Sequence, residues 1–217
     1  MPDRYAVIGN PVTHSKSPWV HAQFARATGE TIEYGRIEAP PDGFVRAVEA
    51  FRAQGGKGLN VTLPFKGEAF RFCAGTSERA TAAQGVLAPL AQAGAAEIVV
   101  ANRTLPRAQA LAARVAGATG CGFDALAGQS FDLVINATSA GLSGELPPLP
   151  RGLFRPGALA YDMVYGRDTE FLAMGRAVGA ATSDGLGMLV EQAAESFLLW
   201  RGIRPESGAI LAALRAR

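Results

Sequence analysis

Residues 60–66 read Asn60-Val61-Thr62-Leu63-Pro64-Phe65-Lys66, and the lysine that closes the run is the group here best suited to moving a proton. It follows an apolar, strand-like run and stands two residues after a proline, which suits a helix's first turn, so Lys66 sits at a strand-to-helix junction. The chain is rich in arginine and has only three lysines, Lys16, Lys57 and Lys66. Arginine stays protonated, whereas a lysine amine can release a proton, and the positive end of a helix dipole favours a neutral amine. A lysine on a solvated helix face has the same appearance in sequence.

Two further groups of polar residues end strand-like runs. Gly9-Asn10-Pro11-Val12-Thr13-His14-Ser15-Lys16-Ser17-Pro18 follows the first run, at a carboxyl end, where open α/β sheets bind ligands. Ser15 and Ser17 can hold a carboxylate there, or either can cap the helix that Pro18 opens. Asn60 and Thr62 alternate with Val61, so both can point into one pocket, or both can serve ordinary strand-end hydrogen bonds.

Positioning these groups requires alternating strands and helices. Residues 5–8, 32–37 and 59–62 read as strands, and 18–27 and 43–52 as amphipathic helices, which predicts βαβ units and a mostly parallel sheet. A second alternating region has helices at 85–93 and 106–115 and strands at 97–101, 131–137 and 158–163, whose continuous apolar runs suit a sheet covered on both faces. Residues 141–156, rich in Gly and Pro, read as a surface loop, and 188–201 and 207–215 as closing amphipathic helices. The expected division is 1–84, 85–184 and 185–217, with the last helices packing back on the first domain.

A chain of 217 residues, 48% hydrophobic, can bury a sizeable core. A net charge of +2 with no basic block gives no footprint for nucleic acid, so a small anionic ligand is the expected partner. Cys73 and Cys121 are too few for a disulfide framework or a zinc cluster, which fits a reducing, cytoplasmic setting. No apolar run approaches the roughly 18 residues of a membrane span.

Taken together, Gly9-Asn10-Pro11 with Ser15-Lys16-Ser17, the 60–66 stretch, Asn102-Arg103-Thr104 and Asp184-Gly185-Leu186-Gly187-Met188-Leu189-Val190 closely resemble shikimate dehydrogenase, from end to end and in the right order. The resemblance implies reduction of 3-dehydroshikimate by NADPH, with Lys66 transferring the proton. It assigns Ser15, Ser17, Thr62, Tyr165 and Gln192 to shikimate, and Met163 and Gly185 to the nicotinamide side, although Met163 can equally be core filler. Arg103 follows the strand where a dinucleotide fold reads its ribose, and an arginine there suits the 2′-phosphate of NADP, with Arg107 one helical turn on. Asn102 and Thr104 flank it, and Thr104 can equally be a helix N-cap. Ser15 and Ser17 favour a shikimate-type carboxylate over the quinate or amino-acid relatives of the same fold. A monomer or homodimer is expected.

The pattern breaks after Glu78-Arg79-Ala80. The family continues there into an Asn-Thr motif, an aspartate that partners the lysine, a strand and a Gly-x-Gly-x-x-Gly-like turn for the pyrophosphate. Here Ala82-Ala83-Gln84-Gly85-Val86-Leu87 joins directly to the next helix, omitting roughly fifty residues, more than one βαβ unit. Gly120-Cys121-Gly122-Phe123-Asp124-Ala125 matches the glycine fingerprint in form but is expected to follow a helix, out of context. The overall expectation is an α/β protein whose Rossmann-like NADP domain lacks its first strand and glycine turn. Its activity is impaired on this reading, or it is a shikimate-binding protein without catalysis.

Overall fold

The computed structural model describes residues 1–75, 86–138 and 146–217. The chain forms two compact units, one of Met1–Thr76 with Leu186–Arg217 and one of Ser77–Gly185. The Gln84-Gly85 junction, Glu78-Arg79-Ala80 and the first part of the 141–156 loop lie outside the described residues.

In the first unit, β1 (Asp3–Gly9), α1 (Ser17–Thr28), β2 (Ile32–Glu38), α2 (Phe44–Ala53), β3 (Gly56–Val61) and α3 (Lys66–Phe72) alternate along the chain. The sheet is parallel in the order β2-β1-β3, with Gly9 opposite Glu38 and Ile8 opposite Val61. The central β1 is apolar on both faces because helices cover both. On one side, Ile8, Ala39, Phe44 and Phe65 form a buried cluster. On the other side lie α1 and α7 (Leu186–Arg201), where Phe24 and Phe197 are fully buried. Gly58 makes this close packing possible, since a Cβ there would stand 2.5 Å from the Trp200 indole nitrogen. Trp200 in turn stacks on Tyr5, with ring centroids 4.5 Å apart. The chain ends in α8 (Gly208–Arg215).

The second unit contains α4 (Leu87–Gln92), β4 (Ile98–Ala101), α5 (Leu105–Ala112), β5 (Ala118–Cys121), β6 (Phe131–Asn136), β7 (Phe154–Asp162), α6 (Glu170–Ala177) and β8 (Ala181–Ser183). Among the described residues its strands make two separate parallel sheets, β4-β5 and β6-β7-β8. Both face one core, in which Val99, Ala101, Cys121 and Val134 pack against buried Leu126, Leu153, Phe154 and Phe171.

Several elements depart from the sequence expectation. No strand was expected at β5, whose Ala-Thr-Gly-Cys has a weak apolar pattern. Its Gly120 instead lets α5 lie against the strand, a Cβ there falling 2.6 Å from the Ala108 backbone. The Gly120-to-Ala125 match therefore begins inside a strand and runs into a short 3-10 turn, Phe123–Leu126, instead of following a helix. No elements were expected at α6 or β8 either. The 141–156 loop is shorter than read, because β7 already begins at Phe154. Arg155-Pro156-Gly157 interrupts the apolar run, and the β6-β7 register shifts between Phe131 and Leu133 to absorb it.

Candidate active site

The carboxyl ends of β1 and β3 lie side by side in the first unit. The Thr62 N–H donates to the Ile8 carbonyl at 2.9 Å and the Asn10 N–H to the Leu63 carbonyl at 3.0 Å. Only a glycine fits at position 9, where a Cβ would stand 2.4 Å from Thr62 Cγ2. The loop from Asn10 to Ser17 is fastened to the β2 side. Asn10 Nδ2 donates to the Ala39 carbonyl at 2.8 Å, Glu38 Oε2 accepts from the Val12 N–H at 3.2 Å, and Arg36 donates to the Ser15 carbonyl at 2.7 Å.

Ser15 and Ser17 are each only 7% exposed. Neither caps α1, whose N-cap position is Lys16 with no side-chain cap bond. Ser15 Oγ accepts from the Ser17 N–H at 3.3 Å, and its hydroxyl proton remains available to a ligand. After Thr62 the chain turns, with the Phe65 N–H donating to the Thr62 carbonyl at 3.0 Å, and α3 starts at Lys66. Pro64 thus sits in the turn ahead of the helix and not in its first turn. Fully buried Phe65 anchors the helix start, and Lys66 itself is exposed. Gln192 is exposed on α7.

The Asn60 amide has protein partners. Its Nδ2 donates to the Tyr34 hydroxyl at 2.7 Å and lies 3.3 Å from His21 Nε2, and its Oδ1 accepts from Ser196 Oγ at 2.7 Å. Burial pushes the Tyr34 phenol well above its ordinary range, partly offset by hydrogen bonds with Asn60 and Ser17. Burial holds His21 down at about 3, so its imidazole is neutral at ordinary pH. None of Arg36, His21, Tyr34 and Ser196 was picked out from the sequence. The His21 and Tyr34 rings stack 4.0 Å apart, a long-range pairing with no local signal.

In the second unit, Asn102-Arg103-Thr104 closes β4 as an Asx turn, with Asn102 Oδ1 accepting from the Thr104 N–H at 2.9 Å. The Thr104 side chain makes no cap bond, and Arg103 and Arg107 are exposed. Met163 and Tyr165 follow β7 in a loop organised by fully buried Asp162. Its Oδ1 accepts from the Val164 N–H at 2.9 Å, and its Oδ2 from Thr169 Oγ1 at 2.7 Å and Asn136 Nδ2 at 3.2 Å. Burial raises the Tyr165 phenol, which keeps its proton as a donor. Gly185 approaches this loop so closely that a Cβ would lie 2.2 Å from the Met163 carbonyl oxygen. Ser15, Ser17, Asn60, Thr62, Lys66 and Gln192 therefore belong to the first unit, and Asn102, Arg103, Thr104, Arg107, Met163, Tyr165 and Gly185 to the second.

For a dinucleotide phosphate, the described residues fit at one end only. The Asx turn and two exposed arginines after β4 suit a phosphorylated ribose, while the Gln84-Gly85 step, in place of a glycine turn, lies outside the described residues. No helix of the structure is long and apolar enough to cross a membrane, and no metal-ligand cluster occurs, among the described residues.

Parallel strands with polar loops at their carboxyl ends, in two units, define an α/β protein of the type that binds a small ligand beside a dinucleotide. Family profiles agree. The shikimate dehydrogenase substrate-binding domain matches residues 7–86, shikimate / quinate 5-dehydrogenase residues 80–143, and the shikimate 5′-dehydrogenase C-terminal domain residues 185–215. The NADP(+) shikimate dehydrogenase of Methylobacillus flagellatus is 46% identical over 268 residues, covering 99% of each chain. That of Aromatoleum aromaticum is 46% identical over 270 residues, covering 98% of this chain and 97% of its own. Among solved structures, an Ael1 enzyme from Pseudomonas putida matches at 40% identity and TM-score 0.88, covering 98% of each chain. The shikimate 5-dehydrogenase of Thermus thermophilus in complex with shikimate matches at 29% identity and TM-score 0.82, covering 99% of this chain and 98% of its own. The chain belongs to the shikimate dehydrogenase family.

Proposed function

We propose that this chain is built to reduce 3-dehydroshikimate to shikimate with NADPH, and that it does so slowly. Ser15 and Ser17 hold the substrate carboxylate, Thr62, Tyr165 and Gln192 hold its hydroxyls, and Lys66 delivers the proton that the carbonyl oxygen needs to become a hydroxyl. Bound NADPH would supply the hydride, with Arg103 and Arg107 on its 2′-phosphate and Met163 and Gly185 on the nicotinamide side. The observation that carries the substrate half is the buried Ser15–Ser17 pair in the loop after β1, whose end is joined to that of β3 at Thr62, one turn before an exposed lysine.

The slowness rests on what lies between the units' motifs. An alignment of 268 positions to a chain of 217 residues leaves at least 51 without a counterpart, although 99% of both chains is covered, so the gap is internal. A dinucleotide-binding sheet runs in the strand order 3-2-1-4-5-6. Among the described residues the order β5-β4 and the separate β6-β7-β8 support a reading in which that sheet lacks its strand 1, the strand whose carboxyl end carries the glycine turn. With it goes the aspartate that the resemblance pairs with Lys66.

A second reading, a shikimate-binding protein without catalysis, is favoured by the same split sheet. Calorimetry with each ligand, followed by an NADPH oxidation assay, separates the two. Shikimate binding with weak NADPH binding and a rate about 10²–10⁴ below that of a full-length relative is the expected result. Turnover at the relative's rate would overturn the impairment, and shikimate binding with no NADPH binding would favour the second reading.

A further inference from the structure

The Asn60 amide stands where a substrate ligand was expected, yet its hydrogen-bonding groups face inward. Both Nδ2 hydrogens have protein partners, the Tyr34 hydroxyl at 2.7 Å and His21 Nε2 at 3.3 Å, and Oδ1 takes the Ser196 hydroxyl at 2.7 Å. An amide offers two donors and one carbonyl, so little remains for a ligand.

His21 is fully buried, and its Nδ1 is the single buried side-chain nitrogen or oxygen among the described residues that has no partner. Accepting from Asn60 at Nε2 requires the ring proton to sit on that Nδ1. A fold that tolerates a buried, unpaired N–H to satisfy one amide places weight on that amide's orientation.

Four elements meet at this amide, and three of them lead to a residue of the proposed pocket. Asn60 lies on β3, two residues before Thr62. His21 lies on α1, one turn past Ser17. Ser196 lies on α7, one turn after Gln192, and its hydroxyl also reaches the Gln192 carbonyl at 3.1 Å. Tyr34, from β2, completes the set and stacks flat on the His21 ring.

We propose that Asn60 is a positioning residue and not a ligand, and that the Tyr34–Asn60–Ser196 network sets the placement of Ser17, Thr62 and Gln192 around the substrate. The proposal rests on the substrate pocket described under Proposed function. Ser196→Ala releases one corner of the network without removing a hydrogen bond to a pocket side chain, whereas Tyr34→Phe also removes the hydrogen bond with Ser17.

Shikimate affinity of the full chain, measured by calorimetry, tests this. Ser196→Ala and Tyr34→Phe are each expected to weaken shikimate about tenfold, the effect of one lost hydrogen bond on a preorganised site. Ser196→Thr, which keeps the hydroxyl, should bind within about twofold of wild type. In a Gln192→Ala background, Ser196→Ala should add less than about twofold, because residues acting through one another are non-additive. Wild-type affinity in Ser196→Ala, equal weakening by Ser196→Thr, or full additivity with Gln192→Ala overturns the network's role. Absence of shikimate binding by the wild-type chain is a different result, which overturns the pocket itself and the network with it. Ser196 is only half-buried, so its truncation leaves a folded chain in which the affinity can be read.

Discussion

At the scale of single residues, the proposed reaction turns on one amine, and the fold on a few positions where nothing larger fits. Lys66→Met keeps the bulk and apolar stem while removing the proton carrier, so NADPH-dependent reduction should fall by about 10²–10⁴ from its wild-type value. Unchanged turnover together with unchanged shikimate affinity would remove Lys66 from the site. Gly185→Ala places a methyl 2.2 Å from the Met163 carbonyl oxygen, a backbone atom that cannot swing aside. A loss of about 1–3 kcal/mol in urea unfolding is expected, and a variant as stable as wild type would show that the loop yields. His21 gives a pH signature. Its imidazole is held at about 3 against 6.5 in an unfolded chain, so the folded state binds fewer protons. Stability is then full above about pH 6.5 and declines as pH falls toward 3, by up to about 1.4 kcal/mol per pH unit. His21→Phe, which retains the aromatic stack, should flatten that acid limb in denaturation curves, and an unchanged slope would exclude His21 as its source.

At the scale of elements, long-range ties hold the carriers of the site in place. Arg201, at the end of α7, donates Nε to Glu30 Oε2 at 2.6 Å and Nη1 to Asp3 Oδ2 at 2.5 Å, linking the helix to the turn between α1 and β2 and to β1. Arg201→Met should lower stability by about 1–2 kcal/mol, a modest amount because all three side chains keep some contact with water. A midpoint in urea equal to wild type would mean that aromatic packing at Trp200 and Phe197 alone holds α7. In the second unit, Asp162 accepts from three donors, Asn136 on β6, Val164 in the following loop and Thr169 at the N-cap of α6. Asp162→Asn turns one acceptor into a donor facing donors, so about 2–4 kcal/mol should be lost, and proteolysis should begin in the Met163–Tyr165 loop. An asparagine variant with wild-type stability would show that the carboxylate is dispensable there.

At the scale of the molecule, the described residues of the first unit form a three-stranded sheet whose central strand is buried on both faces, while those of the second form two separate sheets. Unpaired strand edges open more readily than paired ones. Hydrogen exchange should therefore be faster at β4 and β6 than at β1, by about 10²-fold or more, and unfolding should be biphasic, with the second unit melting first. A single cooperative transition with uniform protection would mean that the second unit pairs those edges by another route.

The sequence alone established the alternation of strands and helices, the Ser15–Ser17 loop, the lysine at the head of α3, the arginine after β4 and the family. These signals are local: a periodicity, a turn residue, or a motif within one stretch of chain. Three short elements, β5, α6 and β8, escaped it because runs of three to eight residues carry too little pattern to rise above their neighbours. Tertiary structure decided the roles that depend on distance along the chain. The Asn60 amide meets Ser196, far away in sequence, whose hydroxyl donates to its carbonyl. His21, Tyr34, Arg36 and Asp162 became meaningful only through partners on other elements. A hydrogen bond between distant segments leaves no trace in the local order of residues, because folding alone brings its two ends together.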